Sequence, residues 1–320
     1  MDPLAKIHAQ QMMDAVMRRE FGKWGFLDQF DEVSVLSRPS VGIEPYGNRF
    51  FPALFGAEVH YKSDQAPWAH TAMLQKEQIM STAPLTKGEF SRLPLVLEIV
   101  RQHKILRDIG FACSTQQNPG SVMNTAIYLR GDSLFLDFYD EPEMVHKLFG
   151  LITNAMLVAH EYFCDIDGEV SPMGVGNCTV TMLSPKIYAE FVRPYDMRIM
   201  ERARELCVPF SIHQDSLVDA FLPAYREGFD YLHNFDVGCD SDIGLFRRLF
   251  PDININVFLY TSTLRNLSAE ELYEFVLQMA YKGEPLTNIG FSVYDVDVEV
   301  PREKIDSICE AYAYLKKLMD

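Results

Sequence analysis

His213 and Asp215 stand two apart at the end of the run Val208-Pro-Phe-Ser-Ile-His-Gln-Asp215. If that run is a strand, alternation puts both side chains on one face. An imidazole and a carboxylate placed so can ligate a metal ion, or the carboxylate can orient the imidazole as a general base. A lone histidine there would more often be a satisfied core residue, and the neighbouring Asp215 tips the reading toward function. Other polar groups recur at the ends of apolar runs. Ser114-Thr-Gln116-Gln117-Asn118-Pro-Gly120 offers amides to a polar ligand, or is simply a capped turn. Asp165-Ile-Asp167 precedes Gly174-Val-Gly-Asn177-Cys178. Those two carboxylates could bind a metal or work as acid and base, and a solvated turn would account for them as well. His233, Asp236, Cys239 and Asp240 follow, then Tyr260, then Ser292-Val-Tyr294-Asp295. No H-E-x-x-H, G-x-S-x-G or C-x-x-C is present, so the signal is a constellation and not a motif.

Groups this far apart in sequence meet only if a regular scaffold brings them to one place. β-rich runs at Glu32–Leu36, Ala57–Tyr61, Phe111–Thr115, 175–180, Val208–His213, Tyr231–Asp236, Ile253–Leu259 and Ile289–Val293 alternate with helical runs. The helices carry local signals. Asp140-Glu-Pro opens one that runs to about Phe163, with Asp140 as the expected N-cap. Ser184-Pro185 opens another that runs to about Cys207, with a kink expected at Pro194. Ser268-Ala-Glu-Glu271 is a capping box, and Pro301 precedes the last helix. Strands that alternate with helices imply a parallel sheet with crossovers. The number of units and the absence of a G-x-G-x-x-G phosphate loop favour a (β/α)8 barrel over a doubly wound sheet. The expected fold class is α/β: a single (β/α)8 TIM-type barrel over residues 33–320, with an N-terminal helical extension over 1–32. The Met-rich stripe of Leu4–Phe21 is expected to be core or dimer contact. In a barrel the chemistry sits at the C-terminal ends of the strands, so the polar groups above are expected at one mouth.

Composition narrows the function classes. Apolar residues make up 48% and charged residues 23% of the 320, the balance of a folded globule. Lys+Arg is 29 against Asp+Glu 45, a formal charge of −16, which would repel phosphate backbones and anionic lipid. Nucleic acid and membrane are therefore not expected partners. No apolar run approaches the roughly 18 residues of a membrane helix. The N-terminus lacks a signal-peptide pattern. The six cysteines stand singly, as free thiols do in a reducing compartment, so a cytoplasmic location is expected.

Two segments carry a family resemblance. Asp140-Glu-Pro-Glu-Met-Val-His-Lys-Leu-Phe-Gly-Leu-Ile-Thr153 resembles the D-x-P-E-x-V-H-x-L-L-x-x-I-T helix of the uroporphyrinogen decarboxylase superfamily. Leu183-Ser-Pro-Lys-Ile-Tyr-Ala-Glu-Phe-Val-Arg-Pro-Tyr195 is similar to its S-P-x-x-F-x-E-F-x-x-P-Y segment. His213 falls where the superfamily has H-S-C-G or H-x-C. Gly56-Ala-Glu-Val59, Pro67-Trp68, Gln117-Asn-Pro-Gly120 and Leu129-Arg-Gly131 are also similar, and the likeness runs collinearly from about residue 33 to 315. It implies a (β/α)8 barrel and a homodimer. The N-terminal R-Q-A-G-R-Y of true decarboxylases is missing; Ser37-Arg38-Pro39 is the nearest arginine.

The resemblance is closer to the corrinoid-dependent methyltransferase branch, including methylcobamide:coenzyme M and O-demethylase methyltransferases. There, His-x-Cys and a later cysteine bind zinc. His213 matches the histidine, Asp215 stands at the first cysteine, and Tyr294 or Asp295 stands near the later one. The resemblance therefore implies zinc on His213, Asp215 and Asp295. A set without thiolates would be more Lewis acidic and would suit polarising an ether or amine. The expected function is removal of a methyl group from a small O- or N-methylated substrate. The acceptor would be the Co(I) of a corrinoid carried by a partner protein. His213, Asp215, Tyr260 and Tyr294 are the expected catalytic residues. Trp68, Gln116, Gln117, Asn118, Asn177 and His233 are the expected substrate-binding residues, with Cys239 and His233 as substitute ligands. Two alternatives stay open: a metal-free lyase using Asp165, Asp167 or Asp215, and a non-catalytic binding protein on the same fold.

Overall fold

The computed structural model describes residues 3–24, 41–62, 65–71, 73–118, 120–293 and 299–319. The chain forms two compact units, Met1–Val175 with Glu190–Val208, and Gly176–Ala189 with Pro209–Asp320.

In the first unit, helical periodicity does most of the work. Its helices are α1 (Pro3–Phe21), α2 (Pro94–Asp108), α3 (Val122–Arg130), α4 (Ser133–Asp140), α5 (Pro142–Asp167) and α6 (Arg193–Glu205). The 26-residue α5 buries Val145, Leu148, Phe149, Ile152, Ala155, Met156, Ala159 and Phe163, an i, i+3/i+4 stripe facing α3, α4 and α6. Each large side chain there contributes about 1.5–3 kcal/mol by burial, an upper figure for a compact unfolded chain. Strand β1 (Val41–Gly42) pairs in parallel with β4 (Cys113–Ser114), and β2 (Val59–Lys62) with β3 (Gln65–Ala69) forms an antiparallel hairpin. Strand β5 (Met173–Gly176) follows α5. Arg130 ties α3 to α4: its Nε and Nη2 donate to Asp137 at 2.7 and 3.0 Å, and Nη1 donates to the Leu74 carbonyl at 2.8 Å.

Three local expectations change here. Asp140 does not cap α5, because it is the last residue of α4 and already helical; Glu141 takes that place without a side-chain bond. The helix that Ser184-Pro185 opens runs without a gap to Glu205, but it is not uniform: Pro185–Ile187 is followed by a π-helical turn, Tyr188–Val192, and then by α6, with Pro194 in its first turn. On α1, Ile7 is buried, but Met12, Met13, Val16 and Met17 are exposed, so the stripe is not core in this chain.

The second unit is a parallel sheet with its crossovers. Strands β6 (Phe210–Gln214), β7 (Asn234–Gly238), β8 (Asn254–Leu259) and β9 (Ile289–Val293) pair in that order. Helices α7 (Leu222–Gly228), α8 (Ile243–Leu249), α9 (Ala269–Lys282) and α10 (Arg302–Met319) accompany them. One sheet face buries Phe210, Ile212, Phe235, Val237, Ile255, Val257 and Leu259. The other face carries Ser211, His213, Asp236, Asn256 and Ser292, all half-buried. That alternation makes one side core and the other polar. The capping box forms as expected, with Ser268 accepting from the Glu271 N–H and Glu271 from the Ser268 N–H.

The expected strand Glu32–Leu36 and residues Arg38, Tyr294 and Asp295 lie outside the described residues. Among the described residues no helix is long and apolar enough to cross a membrane. All six cysteines are free thiols.

Candidate functional site

Register builds the site. His213, one residue before the end of β6, sits opposite Asp236 of β7. Its Nδ1 lies 2.7 Å from Asp236 Oδ2, and its Nε2 lies 3.7 Å from Asp215 Oδ2, just past the strand end. An ionised carboxylate only accepts, so Nδ1 carries the proton in that bond. Cys178 follows β5, and the Asn177 N–H donates to the His213 carbonyl at 2.6 Å, which brings the two segments side by side. One ligand atom each from Cys178, His213 and Asp215 fall within 4.8 Å of one another. The His213 side chain is 31% exposed, open enough for a small ligand to reach. The Phe258 ring meets the imidazole edge-on at 5.1 Å.

The electrostatics match this grouping. Burial alone would lower the His213 pKa, but Asp215, Asp236 and Cys178 outweigh it and push it up to about 12. His213 in turn holds the Asp215 carboxyl below its usual range, against the opposing effect of burial. Tyr260 follows β8, and its hydroxyl donates to Asp240 at 2.8 Å. Burial first, then the Asp240 carboxylate, pushes its pKa above the ordinary tyrosine value, so it stays protonated at neutral pH. A bivalent cation would fit the triad. Sulfur, imidazole nitrogen and carboxylate oxygen are all zinc donors, and three protein ligands leave a fourth position for substrate, as in catalytic zinc sites. The second nitrogen of His213 is anchored by a carboxylate, the usual orienting partner of a ligating histidine.

The triad keeps two of the expected ligands, His213 and Asp215, and adds Cys178. The strand-end rule could have found Cys178, because it follows β5 much as Asp215 follows β6. His233 does not belong to the site. It precedes β7, at the opposite end of the strand from Gly238, where its Nδ1 accepts from the Phe210 N–H at 3.3 Å. Cys239 is buried and 3.5 Å from Thr263 Oγ1, outside the triad. Asn177 is fully buried, and its amide donates to Tyr225, whose hydroxyl donates to Gln214. It supports the site from behind.

The remaining expected residues belong to the first unit. Gln117 is buried and donates to the Ile43 and Thr115 carbonyls at 2.7 and 2.6 Å, joining β1 to β4. Gln116 reaches Cys164 Sγ at 3.5 Å. Asn118 Oδ1 accepts from the Gly120 N–H at 2.9 Å, which is the capped-turn reading. Trp68 stacks on His60 at 4.7 Å and meets His70 edge-on at 4.4 Å. The carboxylates Asp165 and Asp167 do not act as a pair, for both lie in the last turn of α5. Asp165 takes Lys87 at the surface, while Asp167 accepts from the Thr115 N–H and hydroxyl and from Ser114.

The model of the uroporphyrinogen decarboxylase (URO-D) family matches residues 46–250, a span that includes Cys178, His213, Asp215 and Asp236. No curated protein matches the sequence. Among solved structures, a methyltransferase from Methanosarcina mazei is similar over 88% of this chain and 81% of its own, with a TM-score of 0.63 and 11% identity. At that identity the likeness speaks for the fold.

Proposed function

The chain belongs to the uroporphyrinogen decarboxylase family, whose fold is the (β/α)8 barrel, and from that premise we propose that it is a methyltransferase. Its substrate is a small O- or N-methylated compound, and its acceptor is the Co(I) of a corrinoid on a partner protein. The observation that carries this reading is the convergence of Cys178, His213 and Asp215. A zinc ion on these three residues would polarise the leaving oxygen or nitrogen as a Lewis acid. The chain's own residues then have defined tasks. His213 presents Nε2 toward the ligand position while Nδ1 stays on Asp236. Tyr260, kept neutral and fixed by Asp240, offers a hydrogen-bonding wall and cannot serve as a base at neutral pH. Phe258 gives the imidazole an apolar flank, which limits water around it.

Decarboxylation is the second reading, favoured by the family match itself. Asp215 within the triad, and Asp236 and Asp240 near it, make a poor host for a polycarboxylate substrate, which weighs against it. Elemental analysis of protein purified without chelator or histidine tag separates the readings. About one zinc per chain, lost in His213→Ala, supports methyl transfer. The next step is loss of the Co(I) absorbance of free cobalamin in the presence of methylated ethers and amines. Absence of metal, under conditions where a zinc-containing relative keeps its own, would overturn the reading in favour of a metal-free lyase.

A further inference from the structure

Behind His213 the polar face of the sheet continues as a line of hydrogen bonds across three more strands. Asp236 lies opposite His213 in the β6–β7 ladder, and Asn256 lies opposite Asp236 in the β7–β8 ladder. While Oδ2 of Asp236 takes His213, its Oδ1 accepts from Asn256 Nδ2 at 3.1 Å. Asn256 Oδ1 accepts in turn from Ser292 Oγ on β9, also at 3.1 Å. Each bond settles the next. A hydroxyl that donates to the amide oxygen leaves the amide N–H₂ facing Asp236. A carboxylate with a donor on each oxygen is held against rotation. Its Oδ2 then accepts the hydrogen bond of Nδ1–H, and Nε2 is left as the nitrogen on the Asp215 side.

We propose that Asp236, Asn256 and Ser292 are positioning residues that act through His213. They fix its Nδ1–H form and hold the Asp236 carboxylate away from the metal, so that three protein ligands bind and one coordination position stays free for substrate. This inference rests on the metal reading above. Without the line of bonds, Asp236, one strand away, would be free to join Cys178, His213 and Asp215 as a fourth protein ligand, and a closed four-ligand site is structural, not catalytic.

The test uses the full chain and zinc, with the variants Asp236→Asn, Asn256→Leu, Ser292→Ala and Ser292→Thr. Zinc affinity is measured by competition with a chelating dye, and the Tm of the zinc-free protein alongside. The His213 ring protons are followed by NMR in the zinc-loaded protein. Asp236→Asn is expected to weaken zinc about 10–100-fold, the usual effect of losing such a partner, and to move the low-field Nδ1–H resonance. Asn256→Leu should cost less and Ser292→Ala least, with Ser292→Thr restoring wild-type affinity through its hydroxyl. In the Co²⁺-substituted wild type, azide should shift the visible bands by entering the open position. Unchanged zinc affinity in all variants, with only Tm lowered, would overturn the positioning role and leave the metal reading standing. A wild type that binds no zinc would overturn both.

Discussion

A Cβ on Gly238 would lie 1.8 Å from Tyr260 Oη and 2.8 Å from Asp240 Oδ1. The absence of a side chain at that strand end is what lets the phenol cross β7 to reach its carboxylate. Gly238→Ala should therefore push Tyr260 off Asp240. Overpacking of this kind costs about 1–3 kcal/mol. Loss of the Asp240 bond should also bring the phenol pKa back toward its ordinary value, because that carboxylate is one of the groups raising it. Thermal unfolding and ultraviolet titration of the variant check both, and a wild-type titration curve would disprove the steric argument.

Thiol chemistry gives a second contrast at this scale. Cys178 is in the triad, whereas Cys239, only a residue from Gly238, is buried against Thr263. Cys178→Ser replaces a zinc donor with a weak one and should lower zinc affinity at least about tenfold, while Cys239→Ser should leave it unchanged. Equal losses in the two variants, measured by dye competition, would remove Cys178 from the ligand set. Cys178 was harder to read than His213 for a physical reason. His213 has Asp215 two residues away, a local signal, but the partners of Cys178 come from β6, and only strand pairing brings them near.

Among the elements, what was legible in the sequence is what short-range chemistry dictates. The capping box at Ser268 needed no distant partner and formed as expected, and Ile289–Val293, whose apolar run already reads as a strand, keeps its bounds when it pairs with β8. Tyr231–Asp236 reads as a strand by β-propensity, yet β7 runs Asn234–Gly238. Its register is set by Ser211 and Asn254 on neighbouring strands, and a shift of a few residues moves His233 from one end of the sheet to the other. The pair α3 and α4 shows a similar dependence. Gly131 with φ +62° separates them, and Arg130 joins them through a nearly buried, two-pronged bond to Asp137. Removing one partner of such a pair strands the other charge, so Arg130→Ala should cost about 3–5 kcal/mol. Denaturant unfolding measures this, and a loss under 1 kcal/mol would mean that water replaces the guanidinium.

At the scale of the whole molecule, pH response depends on where buried imidazoles lie. Burial lowers the pKa of His103, with Asp167 opposing it in part, and burial likewise lowers that of His160, whose Nε2 donates to the Ser171 carbonyl at 2.9 Å. Both belong to the first unit. A histidine whose folded pKa lies below the unfolded value of about 6.5 binds its proton more readily in the unfolded chain. Stability should therefore fall as pH drops from about 6.5 toward the folded value, then level off. The formal charge of −16 works the other way, since acidification relieves self-repulsion throughout the chain. A single pH series would mix the two effects, but a comparison with His160→Gln separates them, because glutamine can still donate to Ser171 and does not titrate. Both tryptophans, Trp24 and Trp68, lie in the first unit, so their fluorescence reports the unit in question. The urea midpoint of the wild type should drop more steeply than that of His160→Gln between pH 7 and 5. Parallel curves would show that His160 keeps an ordinary affinity for its proton in the folded chain, and would leave the acid response to His103 and to the relief of charge repulsion.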